Sequence, residues 1–182
     1  RVAYSGMPQA YPIFNEVYLV VDDRVIDGED SWPVIEPIWW SAEIHYGERR
    51  YEESLRPFSR EQRWLLAINW YKAEVDNGGH DQFFANPTGI VWRDALTGLR
   101  EIGLGQGVEI LQASTVRMGR FPALESEERK RILTTLRPDF SDLDARFYAV
   151  MDGNVVNAKM VDFIRSRRNS FYFDGRVNVG VS

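Results

Sequence analysis

Apolar residues recur at helical spacing along most of the chain, and the longest such segment runs from Ser59 to Asp76. The positions that define its apolar face lie three or four residues apart and are Trp64, Ile68, Tyr71 and Val75. Further apolar residues widen this face beyond one stripe, which is typical of a helix buried on most of its sides. Ser59 and Gln62 have the spacing of a capping box, in which each side chain satisfies a free backbone N–H group at the helix start. The pattern therefore predicts a buried central helix that begins after Ser59.

The same spacing returns in six further segments that are separated by Gly, Pro or polar residues. The helices that it predicts are one that starts at Val34 and ends near Gly47 and those at residues 90–102, 108–116, 126–136, 141–150 and 154–165. Because the connections between these segments are short, neighbouring helices are expected to run antiparallel. The fold class predicted from the sequence is mainly α, a compact helical bundle.

The two ends of the chain favour β-structure instead. Residues 17–27 favour a small β-hairpin. Near the C-terminus, Asp174 and Gly175 lie between β-favouring residues, and this dipeptide predicts a second hairpin. The alternative for this tail is that it pairs with another strand. The chain is thus predicted to be one domain, 1–182, whose parts are an irregular N-terminal arm, a helical core and a C-terminal tail or hairpin, at residues 1–33, 34–168 and 169–182.

Length and composition narrow the classes of function. A chain of 182 residues is expected to form one domain with a hydrophobic core of its own. It has no Cys, which excludes disulfides, thiolate metal sites and cysteine nucleophiles. It also lacks an apolar run approaching the length of a membrane span, so we expect no membrane partner and a cytoplasmic location.

Acidic residues are distributed unevenly. The net charge is −5, and residues 1–60 carry 11 acidic but 6 basic side chains. Acidity of this kind disfavours direct binding of nucleic acid, since phosphates are bound by Lys and Arg. It suits a basic protein partner instead. The candidate acidic partner surface consists of Asp22, Asp23, Asp27, Glu29 and Asp30.

A polar segment directly follows the central helix. Asn77, Gly78 and Gly79 tolerate a left-handed backbone and are predicted to end the helix at Asp76. The polar residues after them interrupt an apolar neighbourhood. The candidate ligand or motif site consists of Asn77, Gly78, Gly79, His80, Asp81, Gln82 and Asn86.

Two interpretations of this segment remain open. In the structural interpretation, Asn77 and Asn86 bond backbone groups at two helix ends and Gln82 bridges them. His80 is then a partly buried histidine that titrates near neutral pH. In the functional interpretation, the side chains that converge on a ligand or substrate are those of His80, Asp81, Gln82 and Asn86. Since the chain has just two His and no Cys, we predict no metal site, no cofactor and no assigned catalytic residue.

The segment from Glu74 to Gly89, with Ala95, Leu96 and Gly103 after it, resembles a bacterial family of unknown function that includes a DNA-mimic protein of the DMP type. The pattern that carries the resemblance is Asn-Gly-Gly-x-x-Gln-Phe-Phe-x-Asn-x-x-Gly. The likeness covers roughly residues 35–164. It implies a helical fold and a homodimer whose acidic surface imitates DNA phosphates and occupies a DNA-binding regulator.

Three hypotheses for the function follow, and none of them specifies a reaction. The first is a non-catalytic protein-interaction domain whose acidic surface binds a basic partner such as a DNA-binding regulator. The second is a small-ligand-binding or enzymatic pocket around the motif residues. The third is a structural or immunity-type partner that binds through an exposed aromatic surface or the C-terminal ribbon.

Overall fold

The structure, a computed structural model, describes residues 14–180 and is mainly α-helical there, as the sequence predicts. Its α-helices are α1 Asp23–Ile26, α2 Trp32–Ser41, α3 Glu48–Ser54, α4 Arg60–Ala85, α5 Trp92–Glu101, α6 Gly105–Arg117, α7 Ser126–Leu136, α8 Ser141–Val150 and α9 Gly153–Ser166. The remaining regular elements are the strands β1 Phe14–Val21 and β2 Phe173–Gly180 and short 3-10 helices at Ile44–Tyr46, Pro87–Val91 and Arg168–Ser170.

Helix α4 is the centre of the fold. The predicted capping box is present, with Gln62 N–H donating to Ser59 Oγ at 3.1 Å and Ser59 N–H donating to Gln62 Oε1 at 2.9 Å. The helix packs against α2, α5, α7 and α8, which cover it on most sides. Aromatic rings fill the space around its C-terminal half, and those buried to 2% exposure or less are Tyr71, Phe83, Phe84, Phe140 and Phe147.

The predicted break after Asp76 is present, since Gly78 and Gly79 have non-helical backbone angles, but the sequence did not predict that a short helical segment follows directly and extends α4 to Ala85. Gly79 has φ +71° and ψ −174°, a conformation open to glycine, so the expected left-handed residue is present. The backbone N–H of His80 lacks a helical acceptor at this kink and instead donates to Asp144 Oδ1 of α8 at 3.0 Å. A contact from a distant helix therefore allows α4 to continue to Ala85.

The predicted terminal hairpins are also wrong. β1 and β2 pair with each other as an antiparallel two-stranded sheet, with Val17 opposite Val177. The alternative prediction for the tail, pairing with another strand, is confirmed. Asp174 and Gly175 lie within β2 rather than in a turn, because the partner strand comes from the other end of the chain.

Two further boundaries differ from prediction. Residues 14–33 contain β1, α1 and the start of α2 instead of an irregular arm, while residues 1–13 lie outside the described part of the chain. The helix predicted from Val34 to near Gly47 ends earlier, at Ser41, and is followed by a 3-10 turn, while α3 forms in the segment that was expected to lead into the linker before α4. Gly47 precedes α3 with φ +86°, a backbone angle that side chains disfavour, and this residue explains the break.

Candidate functional site

The polar motif forms a network around one buried carboxylate, Glu74, which is 8% exposed. Gln82 Nε2 and Asn86 Nδ2 each donate to Glu74 Oε2 at 2.8 Å. Thr88 Oγ1 donates to Glu74 Oε1 at 2.6 Å. Because α4 is kinked between Glu74 and Gln82, the chain after the kink brings three neutral donors to this carboxylate. The buried charge is thus satisfied by hydrogen bonds, and no Lys or Arg of residues 14–180 pairs with it.

A buried guanidinium lies on the other side of the same loop. Arg129 of α7 is fully buried, and its Nε donates to Phe84 O at 2.8 Å while its Nη2 donates to Asn86 O at 2.7 Å. Nη1 donates to Ala123 O at 2.8 Å and also to Leu124 O. Burial lowers the pKa of Arg129 to about 10, so it remains protonated at neutral pH. Arg129 therefore holds together two segments that are distant in sequence.

Asn86 connects the two buried charges. Its side-chain amide donates to Glu74 and its backbone carbonyl accepts from Arg129. Three residues later Gly89 lies against the same guanidinium, and a Cβ atom there would come within 2.5 Å of Phe83 O and 2.9 Å of Arg129 Nε. The Asn-x-x-Gly part of the motif is explained by these two contacts, one that needs an amide and one that needs the absence of a side chain.

A second network runs through His80. Tyr71 Oη lies 2.9 Å from His80 Nε2, and His80 Nδ1 lies 2.5 Å from Asp144 Oδ1. The carboxylate requires a hydrogen on Nδ1, so in the neutral imidazole Nε2 accepts from the Tyr71 hydroxyl. Burial raises the pKa of Tyr71 well above its ordinary range, which keeps the hydroxyl protonated. Tyr71 and His80 are both 0% exposed, whereas the Asp144 side chain is 25% exposed, so this network runs from the core to the surface.

The predicted site residues do not form one site: Gly79 lies buried at the α4 kink, and the other six fall into three groups. Gln82 and Asn86 meet at Glu74, and His80 belongs to the network with Asp144. The exposed members of the motif are Asn77, Gly78 and Asp81. The predicted bridge from Gln82 to Asn77 and Asn86 is wrong, since the Gln82 amide donates to Glu74. The prediction that His80 is partly buried is also wrong.

Sequence reasoning missed the residues that organise both networks, namely Tyr71, Glu74, Thr88, Arg129 and Asp144. Glu74 and Arg129 could have been found, because each places a charge beside apolar residues at helical spacing. Asp144 carries no such signal, since its role depends on the packing of α8 against the kink.

The N-terminal acidic surface is extensively paired within the chain. Asp27 binds Arg168 at 2.6 Å, and Glu29 binds Arg165 at 3.1 Å. Asp23 lies 3.7 Å from the same Arg168 guanidinium. The two other carboxylates bind backbone N–H groups at helix starts, Asp22 that of Val25 and Asp30 that of Trp32. The C-terminal arginines thus offset much of the negative charge that the sequence concentrates here.

A second group of carboxylates lies where the α4 kink meets the start of α8. This α4–α8 acidic surface consists of Asp81, Asp139, Asp142 and Asp144. Partial burial raises the pKa of Asp81, and the charges of Asp144 and Asp139 raise it further. Arg117 binds Asp142 at 2.5 and 2.8 Å and lowers the pKa of that carboxyl to about 2.

The kink supplies a first prediction. Gly79→Ala is expected to lower the free energy of unfolding by about 2–4 kcal/mol, because it strains a backbone conformation that glycine tolerates and places a Cβ atom 2.5 Å from Asp144 Oδ2. Gly103→Ala is a matched control. Gly103 also has a positive φ of 76°, but no atom lies within 4 Å of the position of its Cβ, so we expect a loss of about 1 kcal/mol. Urea denaturation measures both, and equal losses would show that the contact with Asp144 has no energetic weight.

His80 supplies a second prediction, on pH dependence. Burial lowers the pKa of His80, and Arg117 acts in the same direction, whereas the carboxylates of Asp144 and Asp81 partly oppose both. The unfolded chain therefore binds a proton near the ordinary pKa of about 6.5, before the folded chain does. The contribution of neutral His80 to the free energy of unfolding is fully present above that pH and is lost as the pH falls below about 6.5.

The measurement uses a His45→Gln background, in which His80 is the only histidine. The free energy of unfolding is expected to fall between about pH 6.5 and 5, and His80→Gln in the same background should reduce that slope. Stability that rises on acidification over this range would mean that the attraction of Asp144 outweighs burial.

The geometry defines a class of protein. It is a helical domain with a kinked central helix, and its polar motif forms hydrogen bonds inside the fold. The family model of the DMP19-like protein matches residues 56–167, more than half of the chain. The chain belongs to the DMP19-like protein family. The match begins later than the expected likeness from residue 35. A comparison with curated proteins and one with solved structures found no match.

The described part of the chain contains neither a membrane-spanning helix nor a metal-binding cluster. Over residues 14–180, no helix combines the length and the apolarity needed to cross a bilayer. Within the same range, no group of three or more His, Asp or Glu side chains is arranged to hold a metal ion.

Proposed function

We propose that the protein is a non-catalytic interaction domain that binds a basic partner protein, a DNA-binding regulator, through exposed carboxylates. The observation that carries this proposal is the internal pairing of the motif. Glu74, His80 and Arg129 direct their polar atoms to partners in the same chain, so the segment that carries the family resemblance has a structural task. Exposed groups elsewhere on the protein are therefore the remaining candidates for binding a partner.

The α4–α8 acidic surface is the better candidate for this contact. A surface that imitates nucleic-acid phosphates needs carboxylates available to the Lys and Arg residues of its partner. The N-terminal carboxylates are engaged by Arg165 and Arg168. On the α4–α8 acidic surface, Asp142 is paired with Arg117, but Asp81 and Asp139 form no ion pair with a residue of 14–180 and are available to a partner. Repulsion from Asp144 and Asp139 contributes to the raised pKa of Asp81, and a basic partner would relieve it.

The alternative function, a ligand or enzymatic pocket around His80, Asp81, Gln82 and Asn86, has less support. His80 is 0% exposed, and Asp81 lies on the surface. The amides of Gln82 and Asn86 are already committed to Glu74. A ligand would have to break these bonds before it could use the same groups.

The test is a capture experiment in lysate of the source cells, with the tagged protein immobilised at low salt. The partner is expected to elute early in a salt gradient and to be released by added duplex DNA, because DNA would compete for its DNA-binding surface. Asp81→Asn/Asp139→Asn should weaken capture strongly. Asp27→Asn/Glu29→Gln changes the net charge by the same amount on the N-terminal surface and should weaken capture less.

Circular dichroism of both variants checks that the helical fold is retained. A partner that DNA does not release would contradict mimicry of DNA. Equal capture by the parent and the Asp81→Asn/Asp139→Asn variant would contradict the choice of surface.

A further inference from the structure

The strongest unexplained surface feature is Phe121, whose side chain is 71% exposed. It separates two open cavities. One, of about 450 Å³, lies between α6 and α7 and is lined in part by Ile132 and Leu136. The other, of about 340 Å³, lies between α5 and α6 and is lined in part by Leu96 and Val116. We call Phe121 and these two cavities the Phe121 surface.

The backbone around Phe121 is held firmly although its side chain is not buried. Trp92 Nε1 donates to Pro122 O at 3.0 Å, and Arg129 binds the carbonyl oxygens of Ala123 and Leu124. On the other side, Gly119 has φ +88° and Arg120 has φ +80°, and the N–H of Arg120 donates to Thr115 O at 2.8 Å. Two consecutive left-handed residues turn the chain so that Phe121 points outward. An exposed aromatic side chain on a backbone held by hydrogen bonds has the properties of a binding anchor, because little backbone entropy is lost when the side chain is covered.

The charge at this surface differs from that of the protein as a whole. Arg100 and Arg120 line the α5–α6 cavity and are exposed, and neither forms an ion pair with a carboxylate of residues 14–180. At the other cavity, Arg131 is bound by Glu128. In a chain of net charge −5, two free guanidinium groups beside an apolar groove favour a ligand that combines apolar side chains with carboxylates.

We propose that the Phe121 surface binds an acidic, amphipathic peptide segment of a partner protein. Its apolar side chains occupy the grooves on either side of Phe121, and its carboxylates pair with Arg100 and Arg120. A second copy of this chain is a poorer fit, since a symmetric contact through this patch would bring the two positively charged edges together. This proposal is independent of the basic partner proposed above, because it concerns a different surface and the opposite charge.

The experiment is a selection from a library of random peptides displayed on phage, with the parent protein as bait. The expected result is enrichment of peptides in which Asp or Glu adjoins Leu, Phe or Trp. Synthetic peptides from the selection are then measured by fluorescence anisotropy. Phe121→Ser, and separately Arg100→Glu/Arg120→Glu, are each expected to weaken binding by about tenfold or more.

Arg24→Glu/Arg56→Glu is the matched control, since both residues are exposed, lie outside the Phe121 surface and give the same charge change. It should leave affinity within about twofold of the parent. Circular dichroism verifies the fold of every variant.

Three outcomes would overturn the proposal. They are selection of basic peptides or of none, binding that persists in the Phe121 and arginine variants, and equal loss in the control. Concentration-dependent dimers that Phe121→Ser dissociates would assign the surface to a second copy and overturn it as well.

Discussion

Replacing Arg129 with methionine is expected to lower the free energy of unfolding by about 3–5 kcal/mol, a large part of the total stability of a domain this size. Methionine fills much of the same volume but donates no hydrogen bonds. The carbonyl oxygens that lose their donor would include those of Phe84, Asn86, Ala123 and Leu124. Because this site is buried, water cannot replace every lost bond. Urea denaturation followed by circular dichroism measures the loss.

Two further variants show whether the hydrogen bonds are the cause. Arg129→Lys keeps a positive charge and some donors but cannot reproduce the planar fork, so its loss should be smaller than that of methionine. Arg131→Met changes an exposed arginine of the same helix and should cost less than about 1 kcal/mol. If Arg129→Met were as mild as Arg131→Met, Arg129 would not connect the two segments energetically.

Replacing Glu74 with leucine is expected to lower the free energy of unfolding by about 3–4 kcal/mol. The leucine would remove the acceptor for the amides of Gln82 and Asn86 and for the hydroxyl of Thr88. Some of this cost is offset, because the variant avoids the cost of burying the Glu74 charge. The same denaturation measurement applies, with Asp76→Leu as a control at an exposed position of α4 that should cost less than about 1 kcal/mol.

Glu74→Gln distinguishes the need for an acceptor from the need for a charge. The glutamine carbonyl can accept from Gln82 and Asn86, and its amide can donate to the Thr88 hydroxyl if that group rotates. We therefore expect a loss of about 1–2 kcal/mol, less than that of leucine. A loss equal to that of leucine would indicate that the negative charge itself holds the motif together.

These two buried charges explain why a conspicuous polar motif need not mark a reaction. Glu74 fixes the side chains of the motif, and Arg129 fixes its backbone carbonyls and the segment before α7. The same guanidinium helps to hold Phe121 in its exposed position. Loss of the Arg129 hydrogen bonds would therefore affect both the motif and the Phe121 surface, which are distant from each other in sequence.

The sequence predicted the helical parts of the fold well because their signals are local. The capping box of Ser59 and Gln62 and the spacing of Trp64, Ile68, Tyr71 and Val75 involve residues that are neighbours on one helix. The positive φ of Gly79 was also predictable, since glycine favours it. The helical segment after the break was not predicted, because its start is bonded to Asp144, which lies far along the chain.

By itself, the sequence determined the mainly α class, most helix positions, the absence of cysteine chemistry and the location of the polar motif. Tertiary structure alone decided that β1 pairs with β2, that Arg165 and Arg168 offset the N-terminal carboxylates, and that Glu74 collects three donors. The physical reason is the range of the interactions. Helical periodicity is set by neighbours three or four residues apart, whereas strand pairing, ion pairing and burial of a charge depend on which distant segments the core brings together.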